Sequence, residues 1–150
     1  MNNKLIHVNV VSQEGSVYKA EAKMVSLRGS EGEMGIAYGH TQLLSTLPPG
    51  VVRIERENDE RDTLYISGGV LEVQPHQVII LADVMERAKD LNEAAAEKAR
   101  QQAQEVLNKA KDMDKLEVEE ARQMLAEAEA RLKALKILKG VNAYYNDSDR

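Results

Sequence analysis

Three histidines, His7, His40 and His76, are the first residues to test for chemistry, and the chain has no cysteine. No two of the histidines have the i, i+4 spacing that puts a pair of imidazoles on one helix face to bind a metal. Without cysteine there is no thiolate ligand, no disulfide and no cysteine nucleophile. Ser67 and His76 share one stretch, yet no Gly-x-Ser-x-Gly elbow surrounds the serine and nothing sets the histidine as its base. The glycine-dense segment Arg28 to His40 contains Gly29, Gly32, Gly35 and Gly39. A phosphate cradle would end in Gly-Lys-Ser/Thr; this segment does not, and Glu31 and Glu33 would repel a phosphate. It predicts tight surface turns instead. The pattern points to a non-enzymatic interaction protein with no metal and no cofactor.

Charge narrows the partner class. The formal net charge is -5, which argues against a general nucleic-acid binder because phosphate neutralisation needs a basic face. One segment runs the other way: Arg131, Lys133, Lys136 and Lys139 follow one another with no acid between them. There are five Tyr and neither Trp nor Phe, so aromatic platforms for bases or sugars are scarce. The longest apolar run, Val78 to Ala82, falls far short of the roughly 20 residues that span a bilayer, and Met1 to Gln13 lacks the apolar core of a signal peptide. The chain is expected to be cytosolic and to meet a membrane only through partners.

Two kinds of element must position these residues. Up to Asp83 the apolar residues alternate with period two, as in Ile6, Val8 and Val10 against His7 and Asn9. Lys23, Val25 and Leu27 alternate with Met24 and Ser26, and Val52 and Ile54 with Arg53 and Glu55. Turn signals at Glu14-Gly15-Ser16, Pro48-Pro49-Gly50 and Asn58 to Asp62 separate about eight to ten short strands, the pattern of a two-sheet sandwich. Gly68-Gly69 and Pro75-His76 divide the last stretch, Tyr65 to Asp83, into three successive antiparallel strands.

After Asp83 the period becomes 3.6. Val84, Ala88, Leu91, Ala95, Ala99, Ala103, Val106 and Ala110 form a narrow, mostly alanine stripe. Asp114, with Glu117 three residues on, starts a second helix. Its apolar face is Val118, Ala121, Leu125, Ala128, Leu132, Leu135 and Leu138. Lys136 and Lys139 lie at the negative end of that helix dipole, with Gly140 as its stop. The fold class is thus a mainly β N-terminal sandwich over residues 1–83 and a C-terminal antiparallel α-helical hairpin over 84–150, its tail frayed from about residue 140. Alanine stripes bury little area per residue, so at about 25 cal/mol per Å² the hairpin docks weakly.

Ser67-Gly68-Gly69-Val70-Leu71-Glu72-Val73-Gln74-Pro75, followed by Leu81-Ala82-Asp83, closely resembles the epsilon subunit of bacterial F-type rotary ATP synthases. The resemblance extends to Gly29-Ser30-Glu31-Gly32-Glu33-Met34-Gly35-Ile36 with Gly39-His40, and to the two C-terminal helices, and so covers nearly the whole chain. Ile36-Ala37-Tyr38-Gly39-His40 departs from it by lacking the proline often found just before the glycine.

The resemblance implies a rotor subunit, peripheral on the cytoplasmic side of the bacterial cytoplasmic membrane, that attaches with the gamma subunit to the c ring. It places Glu31, Glu33 and His40 at the rotor interface, Glu33 toward the c-ring loops and His40 toward gamma. It also implies helices that move up and brake ATP hydrolysis, with Arg131, Lys133, Lys136 and Lys139 meeting acidic segments of the catalytic alpha and beta subunits. Some members bind ATP through Ile or Leu, Asp, two variable residues, Arg and Ala; the matching segment here, Leu91-Asn92-Glu93-Ala94-Ala95-Ala96, lacks both the acid and the arginine. Poor ATP binding follows, because alanine supplies neither charge nor a forked donor. A β-sandwich adaptor that dimerises through its helices is the alternative, and it calls for strong heptad residues where the first helix offers alanine.

Overall fold

Period-two alternation becomes strand pairing throughout the first half of the chain in a computed structural model, which describes residues 4–148. Nine strands are described: β1 (Ile6–Ser12), β2 (Val17–Gly29), β3 (Gly32–Ile36), β4 (Leu43–Leu47), β5 (Gly50–Arg56), β6 (Arg61–Ile66), β7 (Gly69–Gln74), β8 (Gln77–Ala82) and β9 (Met85–Arg87). Their order is β4-β7-β8-β1-β2-β5-β6-β9, with β3 also paired to β2. All pairs are antiparallel except β1 with β8.

The long strand β2 joins the two layers. Its first half pairs with β1 and its second half with β5 and β3, and the register shifts between Ala22 and Met24. An extra residue of this kind bends a strand and resets which side chains face inward. Lys23 therefore does not share the face of Val25 and Leu27: it is exposed while Ala22, Val25 and Leu27 are buried. The main core lies between the layers, with Ile6, Val10, Ile36, Leu64, Leu71 and Ile80 among its buried members.

The stretch Tyr65 to Asp83 does not form three successive antiparallel strands. β6 pairs with β5 and β9, whereas β7 pairs with β4 and β8, so Ser67-Gly68 carries the chain from one layer to the other. Gly69 has φ +155°, and a Cβ there would stand 2.1 Å from the Leu81 carbonyl oxygen. Only glycine lets the crossing strand come that close. Buried Ser67 then ties the crossing to the chain leaving β8: its N–H donates to the Val84 carbonyl at 3.0 Å and its hydroxyl accepts from the Val84 N–H at 2.8 Å.

The sheet also runs past Asp83. Met85–Arg87 is β9, paired with Leu64 to Ile66, and a short 3₁₀ turn follows at Ala88–Asp90. The first helix, α1, spans Glu93–Asn108 and does not begin at Val84. Two local forces settle this: residues 85–87 find ladder partners on β6, and Asn92 caps the helix, accepting from the Ala95 N–H at 3.0 Å. The stripe shifts accordingly, with Ala96 and Ala103 buried while Ala95 and Val106 are exposed.

The second helix, α2, spans Lys115–Ser148. Asp114 caps it as expected, accepting from the Glu117 N–H at 2.8 Å. The expected stop at Gly140 is corrected: α2 continues through it, because one interior glycine costs about 1 kcal/mol and no proline follows to force an end. Asp149 and Arg150, the last residues of the expected frayed tail, lie outside the described residues. α1 and α2 pack as an antiparallel pair, joining Lys139 to Glu93 at one end.

Candidate functional site

Glu31, Glu33 and His40 lie on short elements, not on one glycine-rich loop. Gly29 and Gly32 close a hairpin between β2 and β3, with Ser30 and exposed Glu31 at its tip. Glu33 is on β3 itself. Alternation along that strand turns Ile36 into the core and Glu33 outward. There its carboxylate lies 3.8 Å from Arg53 on β5 and 3.9 Å from Lys133 on α2.

His40 sits elsewhere. It closes the turn Ala37 to His40, which Gly39 anchors by donating its N–H to the Pro75 carbonyl at 2.7 Å. Its Nδ1 is 2.7 Å from the Thr41 carbonyl oxygen. No hydrogen bond or ion pair joins His40 to Glu31 or Glu33 among the described residues, so the three do not form one cluster.

The basic run is largely paired within the chain. Arg131 is 3.4 Å from Glu86 of β9, with its guanidinium 4.5 Å from the centre of the Tyr65 ring. Lys133 meets Glu33 and Lys139 meets Glu93 of α1. Lys136 is exposed and has no ion pair among the described residues. The ATP-like segment is spread over different roles: Leu91 is partly buried against the sandwich, Asn92 caps α1, Ala95 is exposed and Ala96 is buried. Of the nearby cations, Arg100 pairs with Glu97 and Arg87 lies over the Tyr18 ring at 5.1 Å. The geometry does not gather them around Asn92.

The residues through which the helices dock on the sandwich were not read from sequence. A second small core, separate from the main one, joins Val51, Tyr65 and Ala88 of the sandwich to Ala130 and Ala134 of α2, with Val84, Leu91 and Ile137 around it. α2 therefore has two apolar stripes, one for α1 and one for the sandwich. A signal was present: Val51-Val52 and Leu64-Tyr65-Ile66 are consecutive apolar residues, the mark of strands covered on both faces. Burial of Tyr65 pushes its phenol up to about 12, despite the opposing pull of Arg131.

The opposite layer has an open apolar row. Strand register aligns Val70, Leu81, Val11 and Val17 across β7, β8, β1 and β2. Val70 is 40%, Leu81 56% and Val17 48% exposed. The docked helices lie on β5 and β6, which leaves this row uncovered.

A β-sandwich followed by a packed pair of helices defines the class, a two-part subunit of the kind found among ATP synthase chains. Residues 5–88 match the family described as ATP synthase, Delta/Epsilon chain, beta-sandwich domain, and residues 89–136 match its long alpha-helix domain. The ATP synthase epsilon chain of Francisella philomiragia is 58% identical over 149 residues, covering 99% of this chain and 100% of the relative. That of Francisella tularensis subsp. tularensis is also 58% identical over the same coverage. The chain belongs to the family of ATP synthase epsilon chains, which are non-catalytic subunits of that enzyme.

Among solved structures, a chain of the Euglena gracilis mitochondrial ATP synthase OSCP/F1/c-ring assembly has TM-score 0.75 and 24% identity, covering 87% of this chain and 81% of that one. A chain of the Tetrahymena thermophila mitochondrial ATP synthase central stalk/c-ring has TM-score 0.59 and 14% identity, with 87% and 96% covered. They share the fold. No helix among the described residues is long and apolar enough to cross a membrane.

Proposed function

We propose that this chain is a central-stalk rotor subunit, whose sandwich joins the gamma subunit to the c ring and whose helices restrain ATP hydrolysis. One observation carries this reading: the chain has two cores. The main core is built from strand residues alone, and the helices attach through a second, smaller cluster whose α2 members are mostly alanines. A sandwich that is complete without its helices can hold its partners while the helices dock or leave.

The uncovered row Val70-Leu81-Val11-Val17 suits an apolar face of gamma, since exposed contiguous apolar surface marks a protein contact. Glu31 and Glu33 near the β2–β3 tip suit the polar loops of the c ring. Membrane contact then comes only through the complex, on the cytoplasmic side, and nucleic acid is no partner. Undocking would free Arg131 and Lys133 from Glu86 and Glu33 of the sandwich, and separation of the two helices would free Lys139 from Glu93, for acidic segments of the alpha and beta subunits.

The test is removal of residues 93–150, which spares β9. The shortened chain should fold, co-purify with gamma and the c ring, and raise ATP hydrolysis in the assembled enzyme. Unchanged hydrolysis would remove the inhibitory part of the reading, and loss of co-purification would remove the rotor part.

A further inference from the structure

Tyr65 lies at the centre of the contact between sandwich and helices, and it is 0% exposed. Its register neighbours are Val51 on β5 and Glu86 on β9, so one row across three strands receives α2. Arg131 of α2 closes over two members of that row. Its guanidinium lies on the Tyr65 ring at 4.5 Å and pairs with Glu86 at 3.4 Å. A part-buried guanidinium over an aromatic face is drawn to the negative face of the ring, and the acid beside the ring holds the charge in place.

The same site contains a defect. The Tyr65 hydroxyl is buried and has no hydrogen-bond partner among the described residues. A buried hydroxyl with no partner penalises the state that buries it, because water would otherwise satisfy it. It lies under α2, so departure of the helix gives it access to solvent.

We infer that Tyr65 and Arg131 form a latch that holds the helices on the sandwich while keeping them releasable: the arginine grips the ring, and the unsatisfied hydroxyl favours release. The inference deepens the proposed movement of the helices and rests on that reading. The grip and the defect lie on one side chain, so they can be separated by single-atom surgery. Tyr65→Phe keeps the ring for Arg131 and removes only the hydroxyl. Arg131→Gln keeps a long polar side chain and removes the grip.

The experiment uses the isolated full-length chain. It has no native cysteine, so cysteines placed at exposed Glu57 and Glu129 take a fluorescent donor and acceptor without background. Energy transfer is followed through a urea titration, with sandwich unfolding read separately by circular dichroism. The undocked fraction should fall about tenfold in Tyr65→Phe, the change equivalent to about 1.4 kcal/mol. In Arg131→Gln it should rise by a similar factor, with sandwich unfolding unmoved in both. An unchanged or larger undocked fraction in Tyr65→Phe overturns the inference, as does a single transition in which helices and sandwich unfold together. ATP hydrolysis is not the readout, so a failed latch leaves the truncation test of the rotor reading standing, and a failed truncation test leaves the latch standing.

Discussion

Ala134→Glu should release the helices from the sandwich without unfolding it. Ala134 is 0% exposed within the second core. What holds the helices there can be summed. Two buried methyls, Ala130 and Ala134, contribute about 0.8 kcal/mol each, and partly buried Ile137 adds about 1–2 kcal/mol. The Glu86 and Glu33 ion pairs with α2 are partly or largely exposed and add about 0–1 kcal/mol apiece. The total is about 3–6 kcal/mol, comparable with the several kcal/mol needed to bury an unpaired carboxylate. Docking should therefore lose most of its advantage, while the main core, which contains no helix residue, keeps its own stability. The assay is energy transfer between labels on sandwich and α2, paired with a thermal melt of the sandwich. Ala134→Ser, a small polar change at the same place, should stay docked. Full docking with glutamate at position 134 would refute the additive estimate. A sandwich melt lowered by more than about 10 °C would refute the independence of the two cores.

Glu33→Arg should weaken coupling of hydrolysis to proton pumping more than Asp59→Arg, since Asp59 lies at the β5–β6 tip, paired with Lys23 at 2.7 Å. Equal coupling in the two assembled variants would remove Glu33 from the rotor interface. If the defect arises instead from the Lys133 contact, adding Lys133→Glu should restore coupling. Calorimetric titration of the isolated chain should find no ATP binding tighter than millimolar, about -4 kcal/mol at that limit; micromolar binding abolished by removing residues 93–150 would contradict this. Asn92→Asp with Ala95→Arg should strengthen any weak binding, because aspartate caps α1 as asparagine does and position 95 is exposed. Burial raises the phenol pKa of both Tyr18 and Tyr65, and the hydrogen bond to Asp62 raises that of Tyr18 further. The fold thus favours the neutral phenols, and their contribution is complete below the ordinary tyrosine pKa of about 10. It is lost as pH rises through about 12 for Tyr65, so stability should fall over that range, and Tyr65→Phe should reduce the fall by about 2–3 kcal/mol. An identical fall in the variant would show that Tyr65 does not titrate there.

Local rules account for what was legible in the residues alone. Alternation identified the inward faces of β1 and β5, since strand side chains change face at every step. Asp114 and Glu117 marked the start of α2, because a cap needs only its own turn. The family was legible because Ser67-Gly68-Gly69 and Gly32-Glu33-Met34-Gly35-Ile36 are distinctive words that can be read without knowing which distant residues they meet. The absence of cysteine and of any i, i+4 histidine pair excluded the corresponding chemistry without reference to the fold.

Only tertiary structure decided the rest. Whether Gly68-Gly69 made a hairpin or a crossing between layers depended on the partners available to β6 and β7, which lie far away in sequence. Met85–Arg87 has too few residues to show a period, and it became a strand because β6 had an open edge. The bulge after Ala22 reset the parity of β2, so Lys23 left the face that simple alternation gave it. Most of all, the partners of Arg131, Lys133 and Lys139 could not be read from their own helix. A run of like charges has the same local pattern whether it faces water, a partner subunit or acids on another part of the same chain. The docking of α2 on β5 and β6 chose the last, because the second stripe on that helix found strands already apolar on both faces.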